Sequence, residues 1–446
     1  MDDALVSIQE RFSIIDLIAQ FYVLDNSQIE DARSGKGIQK YYKKMEGNLL
    51  IERYIANSNL GLSSTQIKEL IYDFWRSPNT QAYDRVAFDP RPQGKKVLNF
   101  WRPPVIVPKE EKYHIIWDFL FEVICAGNDL NLQWLIKFIA HMLQKPEEKP
   151  GVAIVLLGGQ GTGKGALYRL LKTIWANTMT QVHDVDDVIG RFTAAALERN
   201  FAVWMDEALF THDKRAIERL KATITEPEIS IEEKFQPKRA MKSHHRFFAA
   251  SNNDHFANID VDDRRFFFLR VSDCHKQDRE YFNSYFAALD DGVSVPGFVH
   301  ALLQLNLVDF NVRERPKTTE HGHQKIMSLD GVSQFFYEVL QAAEVPPGEF
   351  STHKSWKGSM TIKTEAIKDS FRTFNKNAER HRPIVDSQLV PEIKRIFPSA
   401  KSKRWKKGTQ QHRGLELPSL ADARKEFEAY IGFNVEWEEV IVDLVK

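Results

Sequence analysis

The run Gly158-Gly159-Gln160-Gly161-Thr162-Gly163-Lys164-Gly165 follows the pattern G-x-x-x-x-G-K, whose chemistry is phosphate binding. Its glycines let backbone N–H groups turn inward on phosphate oxygens, and Lys164 is spaced to reach the β and γ phosphates of a nucleotide. Ala166 continues into a helix, and a helix N-terminus adds a dipole favourable to anions. One position departs from the pattern. Gly165 stands where a Ser or Thr hydroxyl ordinarily binds magnesium, so water or a carboxylate must take that place. The bland alternative is a Gly-rich strand–helix turn that holds no nucleotide.

An acidic pair, Asp206-Glu207, ends the apolar run Phe201–Met205. An aspartate there can hold Mg2+ through water, and the next glutamate can polarise an attacking water as general base. A solvated strand terminus is the competing reading. Ser251-Asn252-Asn253 ends another strand-like run, Arg246–Ala250. An amide beside the γ-phosphate can orient the water; Asn252 is the first choice and Asn253 the near alternative, against a simple turn. Asp262-Asp263-Arg264-Arg265 then precedes Phe266–Leu269. A guanidinium stabilises charge on a transferring phosphoryl group, often across a subunit interface. Arg265 is favoured and Arg264 second; an ion pair with Asp262 or Asp263 is the alternative.

Between the acidic pair and Asn252, Ile229–Phe235 alternates like a strand, Gln236–Arg239 can turn, and Ala240–Arg246 returns. From Lys234 to Arg246 the chain carries Lys234, Lys238, Arg239, Lys242 and Arg246, with His244 and His245, and no acid. A basic hairpin with an aromatic at its tip suits a sugar–phosphate backbone, although a charge run is more often a solvated loop.

These groups need a scaffold. Val152–Leu157 is a continuous apolar run, as in a strand buried on both faces. Residues 151–330 alternate such runs with helical stretches, which predicts a parallel α/β sheet. Before it, residues 93–150 contain the apolar helix Trp134–Leu143, closed by Lys145-Pro146 and Lys149-Pro150. Residues 1–92 show amphipathic helical stretches, Ser7–Val23 and Thr65–Trp75. Residues 331–446 read as helix, helix and basic hairpin.

The 446 residues carry 61 Lys+Arg and 61 Asp+Glu, so a uniformly basic nucleic-acid coat is excluded and any DNA contact must be a local patch. With 30 Phe and 9 Trp, there is ample material for cores. Cys125 and Cys274 allow one disulfide, but a pair of free thiols in a reducing compartment is the expectation. No Cys/His cluster has zinc spacing, no run is long and apolar enough to span a membrane, and Met1-Asp2-Asp3-Ala4 lacks the form of a signal peptide.

Together the motifs resemble the superfamily 3 helicases of small DNA viruses, phages and plasmids, most of all the phage and plasmid primase–helicase proteins. The matching stretches are the phosphate loop with its strand, Gly190-Arg191-Phe192, Asp206-Glu207-Ala208, Leu220–Pro227, Ala250–Asp254 and Asp263–Phe267. Gly after the loop lysine also occurs in that phage-type group. The resemblance implies a P-loop, AAA+-like core at 151–330, ATP and Mg2+ as cofactors, a homo-hexameric ring and 3′-to-5′ travel on single-stranded DNA. It assigns residues 93–150 to a helical collar for oligomerisation and 1–92 to an accessory region, mainly helical. By position it makes Lys234 and Phe235 the DNA-contacting pair, with Lys238 and Arg239 next. Such proteins often carry an N-terminal primase–polymerase domain; residues 1–92 are too few for one, so a separate primase or polymerase is the expected partner.

The C-terminal zone is similar to the tail of the same family, a winged-helix outline. Lys403, Arg404, Lys406, Lys407 and Arg413 are its DNA-binding candidates, able to hold origin duplex through phosphates. The leading expectation is an ATP-dependent helicase in the cytoplasm of a bacterial host. The alternatives are an origin-binding initiator that remodels DNA, and a P-loop ATPase acting on protein.

Overall fold

Five consecutive apolar residues have nowhere to turn a polar face, and Ala153–Leu157 (β1) is buried throughout as an interior strand of a five-stranded sheet. Its partners are Met179–Val182 (β2), Ala202–Met205 (β3), Arg246–Ser251 (β4) and Phe266–Arg270 (β5). The order is β5-β1-β4-β3-β2, and every neighbouring pair is parallel. Since parallel strands share a direction, all five C-terminal ends lie along one edge. The register sets Leu157 opposite Ser251 and Ala249 opposite Met205.

This computed structural model describes residues 2–17, 20–33, 39–58, 60–207, 214–234, 238–254, 256, 263–348, 352, 354–377, 386–407 and 409–437. They divide into two compact units, the first running to Phe256 and resuming over Arg264–Pro316, the second taking Lys317 onward with Ala257–Asp263. The expected boundary at 330 therefore moves back. The helix Thr319–Met327 goes with the second unit, where Gly322 lies hard against the Phe433 ring and Lys325 Nζ donates to the Ile431 carbonyl at 3.4 Å.

In the first unit one helical expectation holds and two change. Thr65–Trp75 is helical, within Ser64–Arg76, and Ser63 with Gln66 forms its capping box. Ser7–Val23 is not one helix. Phe12–Leu17 and Gln20–Asp25 are antiparallel strands of a four-stranded sheet, so the N-terminal region is mixed rather than mainly helical. Phe12, Ser13, Ile14 and Ile15 are all buried, and short apolar runs buried on both faces lose the periodicity that separates strand from helix. The collar helix is also part of the core. Asp129–Gln144 lays Trp134 on Phe267 of β5 at 4.4 Å and Phe138 near Phe248 of β4 at 6.1 Å.

The second unit orders helix Gly331–Ala342, strand Met360–Lys363, helices Thr364–Asn377 and Asp386–Ile396, and the hairpin Lys401–Lys407 with Gln410–Leu417. The strands form one antiparallel sheet with Gln410–Leu417 central. Val332, Phe335, Trp356, Ile393, Phe397 and Phe427 fill its core. Among the described residues, no single helix is long and apolar enough to cross a membrane.

Candidate functional site

The glycine-rich loop 158–165, the candidate phosphate loop, leaves β1 at the C-terminal edge. Gly161 and Gly163 take φ of +78° and +109°, the left-handed region that glycine enters without penalty. The loop is packed as well as bent: a Cβ at Gly163 would stand 3.0 Å from Phe282 and 3.1 Å from Val123. Thr162 is buried and its hydroxyl donates to the Gly159 carbonyl at 3.0 Å. The helix begins at Lys164, whose ammonium folds back on the Gly158 and Gly159 carbonyls at 2.6 and 2.8 Å. Burial holds this lysine below its ordinary pKa; Asp206 and Asp273 pull it back up, and Lys276 pushes it down. Around Gly165 a Cβ would meet nothing within 4 Å, so the missing hydroxyl leaves open space.

β4 lies between β1 and β3, and this interposed strand assembles the site. Gly158 N–H donates to the Ser251 carbonyl at 3.3 Å, which puts the start of the phosphate loop beside Asn252. Asn253 is tied to the Ser251 hydroxyl through its backbone N–H at 3.1 Å, and both asparagines are exposed. Across β4, Asp206 and Glu207 follow β3 at the same edge. Gln181 on β2 donates to Asp206 at 2.8 Å, and His183 approaches it at 4.0 Å. Glu207 holds φ of +54°, a conformation that costs a side-chain-bearing residue free energy and collects at functional sites. Ala208 lies outside the described residues.

Arg264 and Arg265 sit at the opposite edge. They precede β5, whose Phe266 pairs with Ala153 at the start of β1. Five residues at about 3.3 Å each separate them from their own phosphate loop by roughly 16 Å. Arg264 is exposed; Arg265 is half-buried, its carbonyl accepting from Ala153 N–H at 2.8 Å. Asp262 lies outside the described residues.

The expected hairpin forms, Glu228–Ile231 against Arg239–Lys242. Lys234 and Lys238 are exposed near its tip; Phe235 lies outside the described residues. Arg239 is a correction. Its guanidinium is almost buried and paired with Glu198, 1% exposed, and it lies 5.7 Å from the Tyr41 ring. It braces the hairpin base instead of facing DNA. The run beyond it also turns inward: His244, His245 and Arg246 are buried. Burial lowers His245 to about 3 and Arg246 to about 9. The sequence shows an acid-free run only from Lys234 to Arg246; it cannot show Glu198 arriving from another part of the chain.

Four residues here escaped the sequence reading. Gln181 orients Asp206, Lys276 stands over Gly159, and Arg191 with the exposed Phe192 flanks the hairpin. Arg191 pairs with Glu232 at 2.8 Å and lies 5.3 Å from the Phe192 ring. Only Gly190-Arg191-Phe192 left a signal, as a motif without a role.

In the second unit the hairpin register sets Arg404 directly opposite Arg413 and Lys406 opposite Gln411, all exposed. Like charges paired across strands oppose hairpin formation, a cost that a bound polyanion removes. Lys403 is partly compensated by Glu416 at 2.9 Å. For Lys407 only the backbone pairing with Gln410 is described. Among the described residues, no group of three or more His, Cys, Asp or Glu could hold a metal ion by itself. Both cysteines are free.

Residues 156–265 match a family of unknown function (DUF5906). The chain is 27% identical over 202 residues to a DNA primase-polymerase of Nitratiruptor phage NrS-1, an alignment covering 42% of this chain and 26% of that protein. It thus spans about a quarter of the length of the curated relative that it matches. Its fold is similar to the apo structure of the NrS-1 C-terminal region, with a TM-score of 0.62 and 17% identity over 94% of this chain and 100% of that one. An A-form apo structure of the same region gives 0.62 and 17% over 92% and 98%.

Proposed function

We propose that the first unit contains an ATP-hydrolysing, AAA+-like motor that moves single-stranded DNA during replication of a phage, plasmid or satellite genome. One observation carries this reading: β4 stands between β1 and β3, so the phosphate loop, Asn252 and the Asp206-Glu207 pair meet at one edge of one sheet. Likeness to a phage primase-polymerase, and to the fold of its C-terminal region, supports a role in DNA replication.

The residues fit a polyphosphate and one magnesium ion. The loop amides and Lys164 would hold the β and γ oxygens, and Asp206, oriented by Gln181, would hold Mg2+ through water. Magnesium held there would supply neutralisation of the phosphate charge. Glu207 would accept the proton of the attacking water while Asn252 orients it. Distance removes Arg264 and Arg265 from their own site, so their role is in trans, in a ring of like subunits; exposure sets Arg264 ahead of Arg265. Lys234 and Lys238, beside Arg191 and Phe192, would grip the strand through phosphates and stacking.

The test is ATPase activity with and without single-stranded DNA, joined to electron microscopy for rings. Hydrolysis that DNA leaves unchanged would turn the reading toward an ATPase acting on protein. A second reading, an origin-binding initiator, is favoured by the Arg404–Arg413 pair, which with the helix–strand–helix–helix–hairpin order suits a winged-helix grip on duplex DNA. Sequence-specific duplex binding by the full chain would support it.

A further inference from the structure

The nucleotide site has a wall that the phosphate-loop pattern does not include. After β5 the chain turns back over the loop: Val271 N–H donates to Leu157 at 2.8 Å and Ser272 N–H to Val123 at 2.8 Å. Gln277, at a left-handed φ of +60°, donates its N–H to the Gly161 carbonyl at 3.2 Å. Its Cγ would lie 3.3 Å from a Cβ at Gly161. The far end is fixed by Asp278, whose carboxylate caps the helix Arg279–Asp290 through Tyr281 N–H at 3.1 Å. His275 is clamped between Asp278, at 3.1 Å, and the stacked Tyr281 ring, at 3.7 Å.

Fixed at both ends, this turn carries Lys276 over the loop backbone. Its Nζ is 3.0 Å from where a Cβ at Gly159 would be, and 3.9 Å from Asp273 Oδ2. Both members of that pair are substantially exposed, 42% and 66%, so the ammonium is free to exchange a loosely held carboxylate for a phosphate oxygen. We propose that Lys276 is a second phosphate-binding cation acting in cis, and that Asp273 is the counter-ion which holds it when no nucleotide is bound. Both lysines then have local partners within the protein, Lys164 on loop carbonyls and Lys276 beside Asp273, and both re-partner on the polyphosphate.

The inference rests on the ATP reading above, and the experiment separates the two. Affinity for a fluorescent ATP analogue, steady-state ATPase and thermal stability would be measured for wild type, K164A, K276A, K276R and D273N. Loss of one charge-assisted contact should weaken K276A binding about 10- to 100-fold, raising KM more than it lowers kcat. K276R should recover most of the affinity. D273N should bind as tightly as wild type or tighter, because a competing carboxylate is gone. Wild-type affinity in K276A, with K164A defective, overturns this inference and leaves the ATP reading standing. Equal weakening in D273N and K276A, with lowered thermal stability in both, also overturns it, since the pair then only holds the turn. No binding by wild type, or unchanged binding in K164A, removes the ATP reading and this inference with it.

Discussion

At the residue scale, Lys164→Ala should abolish ATP hydrolysis, because the main counter-charge to the phosphates is gone. Glu207→Gln should bind ATP and scarcely turn it over, because binding survives the loss of the base. Turnover assays and nucleotide-binding titrations check both, and wild-type turnover in either would defeat the assignment. Gly165 offers a gain-of-function test. The space around its Cβ position is empty, so Gly165→Ser should fold normally and place a hydroxyl where the usual pattern binds the metal. The magnesium concentration for half-maximal ATPase should fall; an unchanged titration would mean that water has fully replaced that ligand.

At the element scale, the basic hairpin separates into a tip and a base with opposite predicted behaviour. Lys238→Ala should leave thermal stability unchanged, weaken single-stranded DNA binding and reduce its salt slope by about one unit. Arg239→Ala should lower stability by up to about 3 kcal/mol, because the buried Glu198 carboxylate then keeps only Arg199, at 3.8 Å, and the Tyr41 hydroxyl. Chemical denaturation beside DNA titration distinguishes them. Behind the base runs a buried relay. Lys149 donates to the Thr223 and Glu226 carbonyls and to Ser243, whose hydroxyl meets His245 Nδ1, and His245 Nε2 donates to the Leu197 carbonyl. Burial lowers His245 to about 3; burial and then the Arg246 charge lower His141 to about 4. The unfolded rings, near 6.5, therefore take up protons first as pH falls. Stability from these two groups is complete above about pH 6.5 and is lost as pH falls from there toward 4 and 3. Melting temperature should drop between pH 7 and 5, and His245→Asn should shrink that drop; an equal drop in the variant would assign the acid sensitivity elsewhere.

At the scale of the whole molecule, the direction of the sheet makes a claim about assembly. Arg264 and Arg265 stand at the edge away from residues 158–165 of their own chain, so on the proposed function a transition-state arginine from this pair would serve another subunit. Arg264→Ala or Arg265→Ala should bind ATP, assemble and hydrolyse slowly, by a factor approaching 10³ for the one that acts. Mixing that variant with Lys164→Ala should restore part of the activity, because a mixed interface joins an intact loop to an intact arginine. Absence of recovery, with subunit exchange verified, would argue against the trans arginine; a wild type that is monomeric at full activity would remove the ring.

Local chemistry was written in the sequence where the function is local. The phosphate loop, its strand and helix, and the strands leading to the acidic pair and Asn252 could be found because they obey short-range rules of turn and burial. The helix over Thr65–Trp75 is legible in the same way from its amphipathic spacing. What separates in the chain and meets in space was not available there. That β4 enters between β1 and β3, bringing Asn252 to the phosphate loop, is decided by sheet order. The inward turn of Arg239 depends on Glu198, and the position of Lys276 over Gly159 on a turn that returns after β5. Phe12–Leu17 reads as helix because burial on both faces erases periodicity, and its pairing with Gln20–Asp25 makes it a strand. Spacing names the groups able to do chemistry; the partners that hold each one, and the edge of the sheet to which it is brought, come from contacts between residues far apart in the chain.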